Sequence, residues 1–165
     1  MSTNLDLVLL ASKSMSAAEG LYLQLKGDYP GKAISWVKDY DWDWPHAVPL
    51  NEIDFSHKDE WGADKHRGKI KAFKEKITQG LMKPAVLVKP KGSRLYVVVD
   101  GHHRGISNRE LNRPMMAWTT DTNEKEGPWD TMHDQQVRGT SVKASNSDLD
   151  LIIFVAQSRN LTERY

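Results

Sequence analysis

The feature that most constrains the fold is an apolar, β-branched run that stops at an Asp-Gly pair. Leu95 to Val99 leads into Asp100-Gly101-His102-His103-Arg104, and the following residues, Gly105 to Leu111, read as a helix. The pattern predicts a buried strand that turns at Asp-Gly and passes directly into a helix. Such a turn gathers backbone N–H groups at the helix start, where no carbonyl one turn earlier accepts from them. The helix dipole adds partial positive charge at the same place. Two imidazoles and a guanidinium stand beside it here, and together these groups suit phosphate or a nucleotide.

The chain has 165 residues and no cysteine. That length predicts one domain with terminal extensions and a core large enough to stand without staples. The absence of thiols excludes disulfides, cysteine nucleophiles, zinc-thiolate sites and thiol redox chemistry. No run approaches the roughly 20 apolar residues that span a bilayer. Leu5 to Ala11 is apolar but short, without the basic flank and cleavage pattern of a signal peptide. The expectation is a soluble, cytoplasmic protein with no membrane partner.

A net charge of +1 conceals segregation. Lys38 to Asp64 is acid-rich, whereas Lys65 to Arg113 holds 13 Lys and Arg against 3 acids, Glu75, Asp100 and Glu110, a difference of +10. A charge run is commonly a solvated helix face. It is also the footprint of an anion-binding surface, and the Asp100–Arg104 element lies inside it, so nucleotide, and DNA through Lys65–Arg113, are the expected partners.

Ser16-Ala17-Ala18-Glu19 fits a capping box, with Leu21, Tyr22 and Leu25 as the apolar face behind it and Gly27 as the stop. A short helix is expected from Gly31 to Tyr40. Pro45 and Pro49 bracket an expected edge strand, Ala47 to Leu50, followed by a helical turn from Asn51 to Asp54 and a charged loop through Trp61-Gly62. Lys65 to Gln79 is the clearest amphipathic helix, with Ile70, Phe73 and Ile77 on one face and Gly80 ending it. Ala85 to Lys89 and Arg94 to Val99 read as strands, a hairpin pair, and Met115 to Thr119 as another. Trp129 to Val137 reads as a short helix and Gly139 to Ser147 as a linker. Leu149, Ile152, Ile153 and Ala156 form an apolar stripe on a C-terminal helix that either docks on the core or serves self-association. The expected segments are a helical N-terminal extension (1–45), a core (46–121), an extension packing on it (122–138), a linker (139–147) and the C-terminal helix (148–165).

From Val48 to Thr120 the chain resembles the ParB/sulfiredoxin superfamily. The resemblance rests on Val48-Pro49-Leu50-Asn51-Glu52-Ile53, the helix ending at Gly80, and Lys83-Pro84-Ala85-Val86-Leu87-Val88. Tyr96-Val97-Val98-Val99 running into Asp100-Gly101-His102-His103-Arg104, and Arg113-Pro114-Met115-Met116-Ala117, complete it. It implies an α/β (α+β) fold, a small mixed sheet flanked by helices, and a nucleotide held by Gly101 to Arg104. Members include partition proteins that bind cytidine triphosphate, sulfiredoxins that use adenosine triphosphate, a free-serine kinase, and plasmid or phage proteins described as nucleases or nucleotide hydrolases. Sulfiredoxins carry a catalytic cysteine at the position of His102, so that activity is out. The second phosphate motif of chromosome partition proteins, Glu-Asn-x-x-Arg, and their helix-turn-helix are not found, so centromere binding is not expected. The outline, including Trp36-Val37, the Trp42 region, Gly127-Pro128-Trp129-Asp130 and His133, is similar to small ParB-like proteins of actinobacterial phages and prophages.

For a triphosphate at this turn, Arg104 and nearby amides would hold phosphates, with a divalent metal, Mg²⁺, assisting. Asp100 either binds that metal or shapes the loop as an Asx turn or cap. His102 and His103 are adjacent, so one faces the ligand and the other packs; a ligand-facing histidine is a candidate general acid or base. His103 and Arg104 lead the candidates. Ser107 and Asn108, one turn on, are candidates for a phosphate or ribose. His57 and His66 flank Asp59, Glu60 and Asp64, the residue types of a metal cluster, but without fixed ligand spacing they read as solvated loop histidines, and lone His133 as packed. Two functions stand: a metal-assisted nucleotide hydrolase or nuclease, or a non-catalytic nucleotide- or DNA-binding or assembly module of a phage or prophage.

Overall fold

A computed structural model describes residues 15–132. The expectations for Leu5–Ala11, His133, the linker, the C-terminal helix and most of the 129–137 helix lie outside them. Of the described residues, 15–44 and 130–132 belong to one compact unit and Pro45–Trp129 to another.

The first unit is built on helix α1 (Ala17–Leu25). Ser16 Oγ accepts from the Glu19 amide at 3.1 Å, as the capping pattern predicts. The helix expected over Gly31–Tyr40 divides into α2 (Gly31–Ile34) and a 3₁₀ turn (Ser35–Asp39). Tightening the coil there buries Trp36 and Val37, and the Trp42 indole N–H donates to the Val37 carbonyl at 2.8 Å. The Trp36 and Trp42 rings lie 6.1 Å apart. The aromatic cluster is thus packed core.

The second unit holds a mixed four-stranded sheet in the order β1-β4-β2-β3. Its strands are β1 (Asp43–Val48), β2 (Ala85–Lys89), β3 (Val97–Asp100) and β4 (Met115–Asp121). β2 runs antiparallel to β3 and parallel to β4. β1 covers more chain than its expected range and stops before Pro49. Pro45 is tolerated inside it because β1 is an edge strand, where a missing N–H costs no ladder bond. β2 is central, and Ala85 to Val88 are buried on both faces. Ala85 and Leu87 join Val48, Ile53, Val98, Met115 and Ala117 in one core cluster, which Phe55 and Tyr96 cover.

Between β1 and β2 come a 3₁₀ turn (Leu50–Glu52), a short helix α3 (Lys58–Trp61), a second 3₁₀ turn (Asp64–His66) and α4 (Arg67–Thr78). The charged loop expected before Gly62 therefore contains a helical turn. Gly80, at φ +72°, terminates α4 as expected. α5 spans His102–Glu110 and packs on the core cluster through Gly105, a Cβ on which would lie 3.5 Å from Phe55 and 3.7 Å from Met115. α4 packs on α5: Ile70 is fully buried, and its carbonyl lies 3.3 Å from Ser107 Oγ.

Glu110 fastens the two helices. It accepts from both terminal guanidinium nitrogens of Arg67 at 2.8 and 2.7 Å and from the Lys74 ammonium at 2.7 Å. The Arg67 hydrogen bond and the two cations hold its carboxyl down at about 2. A carboxyl held below its ordinary value of 4.5 contributes stability above that pH and loses it as pH falls toward 2. With Glu110 30% exposed, solvent screening limits the term to about 1 kcal/mol. Denaturant midpoints measured from pH 5 to pH 2 should fall less steeply in Glu110→Gln than in the native chain.

Candidate functional site

The register of β2 against β3 places Asp100 opposite Val86. The turn that follows β3 therefore sits beside the chain leading into β2. Gly101 takes φ 102°, ψ 34° and is the N-cap of α5, so His102, His103 and Arg104 are its first three helical residues. The helix thus begins three residues earlier than the sequence predicts. A left-handed residue reverses the chain between strand and helix in one step, and glycine takes that conformation without a Cβ penalty. Space demands glycine as well. A Cβ there would lie 2.9 Å from the Ala85 Cβ, 2.9 Å from Arg104 Nε and 3.0 Å from its Cζ.

Those contacts show where Arg104 goes. It folds back under the turn and is 5% exposed. Nη2 donates to Asp100 Oδ2 at 2.8 Å, and Nη1 donates to the carbonyls of Pro84 at 2.7 Å and Lys83 at 3.1 Å. One guanidinium thus ties the end of β3, the start of α5 and the approach to β2. Only a planar fork of donors spans a carboxylate and two carbonyls. Asp100 is correspondingly enclosed, its side chain 12% exposed. What the structure shows is its ion pair with Arg104; the start of α5 carries no side-chain cap bond. An oxygen already engaged by a buried guanidinium is a poor ligand for Mg²⁺.

Ser107 and Asn108 are buried. Ser107 Oγ donates to the His103 carbonyl at 2.6 Å, and Asn108 Nδ2 donates to the Arg104 carbonyl at 2.9 Å. In this structure neither side chain is turned outward for a ligand.

The two histidines occupy the lip of the turn, both half-buried. His102 stacks on Trp61, with ring centroids 4.5 Å apart and planes 18° from parallel. His103 meets the Trp61 edge at 5.2 Å, and its Nε2 lies 2.9 Å from His66 Nδ1. Trp61, His66, His102 and His103 therefore form one cluster over the start of α5. His66 and Trp61 are the members that local pattern could not supply. His66 is 37 positions from His103, and the packing of α4 on α5 unites them. His66, read from the sequence as a solvated loop histidine, is instead half-buried against His103. Beside the cluster opens a small, mainly apolar cavity of about 60 Å³, with Phe55, Trp61, Val97, Val98, His102 and Ile106 in its wall. His57, by contrast, is exposed and stands 3.8 Å from Glu60. Among the described residues no three or more histidines or carboxylates gather as a metal-binding group, and no helix is long and apolar enough to cross a membrane.

No protein-family model matches the chain, and neither a curated protein nor a solved structure matches it.

Proposed function

We propose that the chain is a phosphate- or nucleotide-binding module of the ParB/sulfiredoxin-like kind, with the anion seated on the first turn of α5. One observation carries this reading: the left-handed Gly101 opens a nine-residue helix directly from a strand, with His102 and His103 as its first two residues. The first-turn amides of such a helix lack carbonyls one turn back, and the dipole adds positive charge at that end. Protonated imidazoles on the lip would add charge-assisted hydrogen bonds. The role assigned to Arg104 changes accordingly. It neutralises Asp100 beneath the turn and fixes the backbone; the amides and histidines meet the anion.

The same engagement of Asp100 favours binding without turnover over metal-assisted hydrolysis at this loop. Calorimetric titration with ATP, CTP, GTP and UTP, with and without Mg²⁺, tests the reading. Saturable binding that weakens at least about tenfold in His102→Ala or His103→Ala supports it, since a charge-assisted hydrogen bond is worth about 1.5–3 kcal/mol. Failure of every nucleotide and of inorganic phosphate to bind would overturn it. Phosphate release from the bound nucleotide would restore the hydrolase reading.

A second reading, nucleic acid on the basic face, rests on α4 and the turn before it. Lys65, Lys69, Lys71 and Lys76 are exposed, while Arg67 and Lys74 are held by Glu110. Four phosphate contacts predict a double-logarithmic slope of affinity on salt of about −3.6 for duplex DNA. A slope near zero, or no binding, would dismiss this second reading.

A further inference from the structure

One nitrogen of His103 is engaged from outside the first turn of α5. Its Nε2 lies 2.9 Å from Nδ1 of His66, 37 positions away at the end of the 3₁₀ turn before α4. Both rings are half-buried. A neutral imidazole donates through one nitrogen and accepts through the other, and the bond made at one decides whether the other carries a proton. We propose that His66 is a positioning residue of the anion seat: it holds His103 Nε2 so that Nδ1–H is the group that meets the anion. This role rests on the placement of the anion at the first turn of α5, and it adds to that site a residue from another element.

Nδ1 is bonded to Cγ and so lies one bond nearer the backbone than Nε2. Helical side chains lean toward the helix N-terminus, which brings the Nδ1 edge of the second residue of α5 toward the first-turn amides. With His103 neutral, a proton on Nδ1 requires Nε2 to accept, and His66 Nδ1–H donates to it. With His103 an imidazolium, Nε2–H donates and His66 Nδ1 accepts. His66 serves both states by exchanging tautomers, whereas an ammonium or a carboxylate would serve one. The imidazolium is the stronger partner, since a charge-assisted hydrogen bond to an anion is about twice as strong as a neutral one. A second proton on the pair would set N–H against N–H across 2.9 Å, so the pair takes up one proton and opposes another.

Packed elements hold His66 in place. Its amide donates to the Ala63 carbonyl at 2.8 Å, and its ring lies 5.6 Å from Trp61, which meets the His103 ring at 5.2 Å. The charges nearest in the chain are Asp64, Lys65 and Arg67, the last held by Glu110. α4 presents Phe73, 6.2 Å from His103, with Lys69 Nζ 6.0 Å from that ring. α3 presents Trp61, and its Lys58, Asp59 and Glu60 are exposed. On α5, Arg104 is turned under to Asp100 and His102 stacks on Trp61. His102 brings its own proton to native and variant chains alike, so a difference between them belongs to His66.

Sulfate is the probe for the test, because its charge stays constant from pH 8 to pH 6, where inorganic phosphate titrates. The full native chain should bind sulfate more tightly as pH falls across that range, with net proton uptake measured by calorimetry in two buffers of different ionisation enthalpy. His66→Phe keeps a ring against Trp61 but no nitrogen. At pH 6 its affinity should fall about tenfold or more, as for loss of one hydrogen bond to a charged group, and its proton uptake should shrink. His66→Gln offers a carbonyl and an N–H, and should restore most of the affinity. Long-range ¹H–¹⁵N spectra of the sulfate-bound native chain should show a proton on Nδ1 of His103. Affinity and proton uptake unchanged in folded His66→Phe, or a sulfate-bound His103 protonated at Nε2 alone, would overturn the role of His66 while leaving the anion seat in place. A native chain that binds neither sulfate, phosphate nor any nucleotide would overturn the seat itself, and this role with it.

Discussion

Arg104→Ala should destabilise the Pro45–Trp129 unit by about 3–5 kcal/mol, the cost of breaking a buried ion pair from one side. The substitution leaves the enclosed Asp100 carboxylate without its guanidinium and removes the donors that Pro84 and Lys83 accept from. Arg104→Lys should recover little of this, because an ammonium cannot reach a carboxylate and two carbonyls from one fixed plane. Asp100→Asn should cost less than Arg104→Ala, since it keeps an oxygen facing Nη2 and removes only the charge. Urea unfolding of the three variants gives the order. A stability loss under about 1 kcal/mol for Arg104→Ala, the range of an exposed pair, would show that the guanidinium is not structural, and would return Arg104 to the ligand side of the turn.

Gly101→Ala is expected to be nearly as damaging, for two separable reasons. Its φ of 102° costs a residue with a Cβ about 1–2 kcal/mol. The added Cβ also meets Ala85 and Arg104 at 2.9 Å, and overpacking in a well-packed site costs about 1–3 kcal/mol. The double substitution Gly101→Ala with Ala85→Gly removes one clash and leaves the dihedral cost and the Arg104 contact. A double-mutant cycle should therefore show a positive coupling that recovers part of the loss but not all of it. Complete recovery would mean that the left-handed backbone carries no cost here; no coupling would mean that Ala85 gives way freely.

The sequence was most legible where local chemistry decides the outcome. β2 has the bounds expected of it because a β-branched run after a proline has few alternatives, and Ser16 caps α1 because a serine placed one turn before Glu19 can satisfy its amide. Gly80 stops α4 for the same kind of reason. The turn at Asp100-Gly101 was visible as a turn, but its consequence was not. Histidine and arginine neither break nor start helices, so nothing local fixed the start of α5 at His102. Gly101 fixed it, through a left-handed N-cap that replaces the usual Ser, Thr, Asp or Asn.

The direction of Arg104 was illegible in a different way. An arginine beside first-turn amides reads equally as an anion ligand or as a brace. The choice was made by the register that brings Lys83 and Pro84 alongside, which is a property of the sheet and not of the motif. His66 shows the same limit. In the chain it is one more histidine in a charged segment; in the fold it is the partner of His103.

Whether the first turn of α5 seats an anion is read from its amide resonances. The full chain, labelled with ¹⁵N, is titrated with inorganic phosphate and then with each nucleoside triphosphate at constant ionic strength. Saturable shifts centred on the amides of His102, His103 and Arg104, with one dissociation constant common to all three, are the expected result. Shifts confined to the lysines of α4, or a turn that stays silent while ligand binds elsewhere, would contradict it.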